Sequence, residues 1–264
     1  MGSYVPEYDA LELSPKQRDT LLIIPVINEG LRILAQLEKI EKLGFEIDVA
    51  IADGGSTDGS LDDFLKLERL GVNYLLKKWG PGKLSAQLLC AFEFALKRNY
   101  KQVITMDGNL KDDPEGIRTI IAALNSGFDF VQGSRFIDGG SAINTPAVRY
   151  YAIRWIHAPL TSIAARRKFT DTTNGFRGFS NMLLQNEKID IFRQCFDSYE
   201  LLFYLPIRAS RIGLSICEVP VIRMYPRKGP TPTKIRGLGS HLVLFQILLN
   251  AIFGRYNPRG RKDV

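Results

Sequence analysis

The chain has 264 residues, 45% hydrophobic and 24% charged, enough for a substantial core and unlike a disordered or fibrous sequence. Three widely spaced cysteines, Cys90, Cys195 and Cys217, match neither a disulfide framework nor a paired-ligand zinc site, and point to reduced thiols in a cytoplasmic setting. The net charge of +7 is uneven: from Arg223 to Val264 nine Lys or Arg face one acid, Asp263, so a nearly neutral body carries a cationic tail suited to phosphates or an anionic membrane.

Met1 to Thr20 is polar, has no apolar signal core and is expected to be an extension over residues 1–19. Leu21 to Val26 is a short apolar run, the pattern of a strand buried on both faces. Leu31, Leu34, Leu37 and Ile40 then recur at helical spacing. Phe45 to Ala52 reads as a second strand, stopped by Asp53-Gly54-Gly55-Ser56-Thr57-Asp58-Gly59, and Leu61 to Leu67 as a helix. Val72 to Leu76 is a third strand, followed by a helix from about Ser85 to Arg98. Gln102 to Met106 is a strand that ends in Asp107-Gly108-Asn109, ahead of a helix from Pro114 to Asn125. Phe128 to Gln132 is another strand, ended by Gly133-Ser134-Arg135. Further on, Val148 to Ala165 and Tyr199 to Arg211 read as helices, Lys168 to Gly178 as a polar loop, and Ser215 to Met224 as a late strand. This alternation predicts an α/β, mainly parallel sheet with helices on both faces and ligands beyond the carboxyl ends of its strands.

Asp107-Gly108-Asn109 has two readings. Asp, Gly and Asn are common turn formers. They also offer hard oxygen ligands, with a glycine that lets backbone approach, as a Mg²⁺ or Mn²⁺ clamp requires.

Pro25-Val26-Ile27-Asn28-Glu29, Asp53 to Gly59, Asp107-Gly108-Asn109 and Gly133-Ser134-Arg135 occur in order, each after a predicted strand. This set resembles the inverting glycosyltransferase family 2, with its nucleotide-sugar-binding, Rossmann-like GT-A fold. Thr173-Asn174-Gly175-Phe176-Arg177, Ser198-Tyr199-Glu200 and Glu218-Val219-Pro220 look more narrowly like the dolichyl-phosphate mannose synthase branch. The resemblance spans roughly residues 20–236, the expected catalytic domain, and leaves 237–264 as a basic, apolar tail.

The resemblance implies roles for particular residues. Asp53 would meet the nucleobase or ribose, with an Asx-turn as the alternative, and Pro25, Asn28 and Glu29 would line the same pocket. For Glu29, a solvated helix-start carboxylate is the other reading. Lys83, in Gly80-Pro81-Gly82-Lys83, would reach the phosphates; a plain turn is the alternative. Asp107, with Gly108, would hold a Mg²⁺ or Mn²⁺ that bridges the donor diphosphate. Asn109 stands where the family usually has a second carboxylate, and Lys111 where many relatives have a glutamine ligand. Asp112 and Asp113 either compensate or cap the following helix. Arg135, Arg149, Arg223, Arg227, Lys228 and Lys234 are the phosphate-facing set, with residues 223–236 as a loop that closes over substrate. Glu200, beside Asp197, is the remaining acid: a base if the acceptor is a sugar hydroxyl, unneeded as a base if the acceptor is an anionic polyprenyl phosphate.

The segment His241 to Phe253 is apolar but too short to cross a ~30 Å hydrocarbon core. Basic flanks suit a helix lying at a membrane interface; a core helix packed back on the domain is the alternative. His157 and His241 are too few for a zinc cluster, and the tail mixes its charges with aliphatic residues rather than stacking aromatics, which disfavours nucleic acid. The expected activity is transfer of a hexose from a UDP- or GDP-sugar to a polyprenyl-phosphate-type acceptor by an enzyme peripheral on the membrane. The alternatives are extension of a lipid-linked or surface polysaccharide through a sugar hydroxyl, and a non-catalytic sugar-nucleotide-binding scaffold.

Overall fold

The computed structural model describes residues 3–227 and 237–258. Its strands are β1 (Tyr8–Glu12), β2 (Thr20–Val26), β3 (Asp48–Asp53), β4 (Val72–Lys78), β5 (Gln102–Thr105), β6 (Phe130–Ser134), β7 (Ser141–Ile143), β8 (Arg177–Ser180), β9 (Ile216–Pro220) and β10 (Ile222–Met224). Its α-helices are α1 (Leu31–Lys42), α2 (Phe64–Arg69), α3 (Leu84–Lys97), α4 (Gly116–Asn125), α5 (Ala147–Ala152), α6 (Ala158–Ala165), α7 (Asn181–Leu184), α8 (Glu200–Arg211) and α9 (Gly237–Ile252).

Eight strands form one sheet in the order β1-β4-β3-β2-β5-β8-β6-β9, with β1 and β8 antiparallel to their neighbours; β10 and β7 form a small parallel pair. The period of two in β2 decides the layering. Leu21 and Ile23 face a core shared with Leu88 and Phe92 of α3 and Leu201 of α8, whereas Leu22, Ile24 and Val26 face Ile33 and Leu37 of α1 and Ile117 of α4. A strand covered by helices on both faces has no polar side, which is why its sequence is an unbroken apolar run.

The expected strands and helices of the first two-thirds are present, with differences that have local causes. The strand expected from Phe45 begins at Asp48. Within the expected extension, β1 pairs along β4 as an edge strand; its burial pattern is almost wholly exposed, so no apolar signal marks it. β8, which begins at the end of the expected polar loop and runs past it to Ser180, inserts antiparallel between β5 and β6. The late strand divides at Val221: β9 continues the main sheet to Pro220, and β10 leaves it to pair with β7. The expected helix Val148 to Ala165 contains a π-turn at Ile153–His157. It falls just before Pro159, which has no N–H to give the Trp155 carbonyl.

Pro206 creates the same vacancy inside α8, at the carbonyl of Leu202. Here a side chain fills it: Arg177 Nη2, buried to 2% exposure, donates to Leu202 O at 2.9 Å and to Thr172 O at 2.9 Å, while Nε donates to Asn174 O at 3.0 Å. Burial lowers the Arg177 pKa to about 10, and Asp171 and Asp107 offset part of that effect. α9 packs on α6 and α8, burying Ile247, Leu248 and Ala251 against Phe203 and Ile207. The packed-back reading therefore describes one face of this helix.

The Pro206–Arg177 pairing is testable by a double-mutant cycle in urea unfolding. Pro206→Ala restores a donor for Leu202 and should reduce the cost of Arg177→Met by about 1 kcal/mol, the net worth of one hydrogen bond.

Candidate active site

The parallel strands β2, β3, β5, β6 and β9 end at one edge of the sheet. Val26 and Asp53 are register partners at the ends of β2 and β3. Gln87 of α3 ties these ends by donating to Val26 O at 2.9 Å and Ala52 O at 3.1 Å. Asp53 is 4% exposed; its Oδ1 accepts from Gly55 N at 3.1 Å and Ser56 N at 2.8 Å, forming the Asx-turn, while Oδ2 has no hydrogen bond among the described residues. One oxygen thus shapes the turn and one is left for a ligand. Pro25 is half-buried in β2. Asn28, at φ 49°, accepts from Thr57 N at 2.7 Å through Oδ1, and Glu29 pairs with Arg32 at 3.0 Å, the helix-start arrangement. Lys83 is exposed just before α3, its backbone N–H bonded to Asp197 O at 2.7 Å.

The centre of the edge follows β5. Gly108 packs so closely that a Cβ would lie 3.0 Å from Val26 Cγ2 and 3.1 Å from Ile24 Cγ2, so any side chain here would have to push these methyls aside. This brings Asp107 to Arg223 of β10: Nη2 meets Asp107 Oδ2 at 2.6 Å and Nη1 meets Asp112 Oδ2 at 2.6 Å, so one guanidinium joins both carboxylates. Asn109 Nδ2 donates to the same Asp107 oxygen at 3.2 Å, while its Oδ1 accepts from Lys111 N at 3.3 Å. The Lys111 ammonium lies 5.1 Å from the Tyr225 ring centre. Burial would raise the Asp107 pKa, yet Arg223 and Lys111 hold it at about 2. Burial and the nearby Arg223 push Lys111 down to about 8. Asp112 is shifted up by burial against the pull of Arg223. Asp113 accepts from Glu115 N at 3.1 Å in the turn ahead of α4, whose N-cap position, Glu115, has no side-chain capping bond. An apolar crevice lined by Pro25, Leu84, Leu88, Leu201 and Leu205 has Asp107 in its wall.

Other expected phosphate groups are placed differently. Arg135 is not turned to an open face: its Nε and Nη2 grip Asp171 at 2.6 and 2.8 Å, with Nη2 also 3.0 Å from Thr173 Oγ1, and both charged side chains are at most 2% exposed. Sequence reading missed Asp171 because its partner lies 36 positions away. Glu218 holds this loop by accepting from Thr170 N at 2.9 Å and Asp171 N at 3.1 Å. Arg149 donates to Tyr225 Oη at 2.9 Å, beside the cluster. Glu200, 8% exposed and raised in pKa by burial, accepts from Ser198 N at 2.6 Å and so closes the turn into α8. Arg227 is exposed; Lys228 and Lys234, and with them most of the expected closing loop, lie outside the described residues.

The carboxylates and cations thus gather at the carboxyl edge of an α/β sheet, the place where such sheets bind ligands. Glycosyl transferase family 2 matches residues 21–189, and the chain belongs to that family. It is similar to the polyprenol monophosphomannose synthase of Mycolicibacterium smegmatis, 26% identical over 94% of this chain and 92% of that one. The undecaprenyl-phosphate mannosyltransferase of Micrococcus luteus is 29% identical over 76% and 82% respectively. Among solved structures, the glucosyl-3-phosphoglycerate synthase of Mycobacterium tuberculosis, in complex with Mn²⁺, uridine-diphosphate and glucosyl-3-phosphoglycerate, superposes with a TM-score of 0.64 at 16% identity, covering 92% of this chain and 82% of that one. The GT-A fold is thereby shown.

The side chains at Asp107 do not form a ligand set for a divalent ion. In phosphate-binding sites, hard cations take one or two carboxylates from the protein and complete their shell with phosphate oxygens and water. Here one Asp107 oxygen already accepts from Arg223 and Asn109, and the charges of Asp107, Asp112, Lys111 and Arg223 cancel. Among the described residues, no three His, Cys, Asp or Glu side chains gather as a metal site.

The buried Arg135–Asp171 pair has a definite pH signature. Burial would raise the Asp171 pKa, but Arg135 outweighs it and holds the group below its ordinary value. A depressed carboxylate adds stability that is complete above the unfolded pKa of ~3.9 and is lost as pH falls through the folded pKa. Asp171→Asn should therefore be less stable than the parent at pH 6, with the gap in urea midpoints closing toward pH 2; a gap independent of pH would contradict the pairing.

Proposed function

We propose that this family 2 glycosyltransferase moves a hexose, with inversion, from a nucleotide-diphosphate sugar to a polyprenyl-phosphate-type lipid. The observation that carries the reading is the similarity, over more than nine-tenths of both chains, to a polyprenol monophosphomannose synthase. Two features of the site support it. The donor half has Asp53 Oδ2 beside the glycine turn and cations beyond Asp107, an order suited to a nucleoside followed by a diphosphate. In the acceptor half, Glu200 is bonded to its own turn through Oε2, which favours an acceptor that needs no base. An acceptor phosphate is already anionic and needs none.

The helical side supports a lipid acceptor. Val148 (83% exposed), Trp155 (73%) and Ile163 (74%) project from the α5–π–α6 segment, and Leu242 (69%) and Val243 (54%) from α9, which packs beside α6. Arg154, Arg166 and Arg167 are exposed near the first group. Aromatic and aliphatic side chains with basic neighbours suit the interface of an anionic membrane. No helix among the described residues is long and apolar enough to cross one.

Incubating the enzyme with polyprenyl phosphate and radiolabelled UDP- and GDP-hexoses should give a butanol-extractable labelled lipid, and no product from any donor would contradict the assignment. Asp197→Asn and Glu200→Gln should each retain turnover. A fall of about 10²-fold or more with donor binding intact would instead identify a base and a sugar-hydroxyl acceptor.

A further inference from the structure

The family 2 assignment raises the question of what neutralises the donor diphosphate at this edge, and the cluster around Asp107 already contains its own cations. We propose that Lys111 and Arg223 meet the diphosphate in place of a divalent metal, so that donor binding and transfer proceed without an added ion. This rests on the proposed use of a nucleotide-diphosphate donor.

Three observations converge. The first is chemical identity: beside Asp107, Asn109 offers only a neutral carbonyl and Lys111 no oxygen ligand at all, so the pair brings a positive charge and no negative one. The second is geometry. Arg223 bridges Asp107 and Asp112 at 2.6 Å on each arm, the position a bridging cation would take. For a metal to use both carboxylates it would have to break two charge-assisted bonds and leave a 7% exposed guanidinium without a counter-charge. Asp112 Oδ1 is buried without a hydrogen-bond partner, but one oxygen is not a ligand set. The third is rigidity. Met224 N donates to Lys111 O at 2.7 Å and Asp113 N to Ile222 O at 2.9 Å, and β10 is itself held by β7, so backbone bonds place both cations across the Asp112–Arg223 bridge.

The side chain of Asp107 is 26% exposed and is the open face of this neutral cluster. A diphosphate arriving there adds negative charge to a cluster of two carboxylates and two cations, Arg223 with a planar fork and Lys111 as a point charge, and draws those cations from Asp107 toward its own oxygens. In the transfer, an oxygen of the acceptor phosphate bonds to the anomeric carbon as the bond from that carbon to the donor diphosphate breaks. The electron pair leaves on the diphosphate oxygen, and the acceptor phosphate gives up one negative charge. The charge therefore moves toward Lys111 and Arg223, and no proton changes hands.

The test is equilibrium binding of UDP and GDP to the wild-type protein in EDTA, Mg²⁺ and Mn²⁺, with Mn²⁺ followed separately by electron paramagnetic resonance. Affinity for the nucleotide that binds should agree within about threefold across the three conditions, and the free Mn²⁺ spectrum should survive addition of protein and nucleotide. Lys111→Ala should weaken that nucleotide by roughly tenfold or more in EDTA. The double variant Asn109→Asp/Lys111→Gln, checked for folding by circular dichroism, restores oxygen ligands and should acquire Mn²⁺ binding that the parent lacks. Tightening of about tenfold or more by metal in the wild type, with loss of the free Mn²⁺ signal, would overturn the proposal. Failure of both nucleotides to bind under every condition would overturn the donor assignment itself, a result distinct from metal-dependent binding.

Discussion

One guanidinium fixes the chemistry of this sheet edge. Asp107 and Asp112 lie on a single loop after β5, and Arg223 reaches both from a strand more than one hundred positions later. Without that cation, a partly buried and a fully buried carboxylate would be left facing each other, an arrangement that proteins avoid by losing charge or structure. The split of the late strand at Val221 makes the contact possible: it takes β10 off the main sheet and lays it against the loop that carries Lys111 to Asp113.

The neighbouring loop, Thr170 to Phe176, is held by the same principle of internal satisfaction. Arg135 neutralises Asp171, Glu218 accepts from two backbone amides, and Arg177 satisfies three carbonyls, one of them vacated by Pro206. These bonds set Gly175 so close to Asp107 that a Cβ would stand 3.1 Å from the carboxylate, and Thr105 Oγ1 anchors its carbonyl at 2.7 Å. Arg135 and Arg177 are thus both engaged within the loop. What they supply to function is a rigid wall beside Asp107.

The strand-end arrangement was legible in the sequence because fully buried parallel strands must be apolar throughout, and the residues that interrupt them mark the ligand edge. Asp53 and Asp107 were located in this way. β1 was not legible because an exposed edge strand has no apolar pattern, and β8 was hidden because four residues, Arg177 to Ser180, take their strand character from two flanking strands rather than from themselves. The partners Arg135–Asp171 and Arg223–Asp107 escaped for another reason: a chain carries charges in order, but their pairing is decided by topology. Asn109 and Lys111 were visible as departures from the family pattern, and the Arg223 bridge gives those departures a shared physical meaning, a cluster balanced from within.

That balance is most directly examined by anomalous X-ray diffraction from crystals of the enzyme with a bound nucleoside diphosphate, soaked in Mn²⁺ and measured at the manganese edge. The account predicts Lys111 and Arg223 within hydrogen-bonding distance of the phosphates and no anomalous peak at Asp107. A peak bridging Asp107 and the diphosphate, with Arg223 displaced, would contradict it.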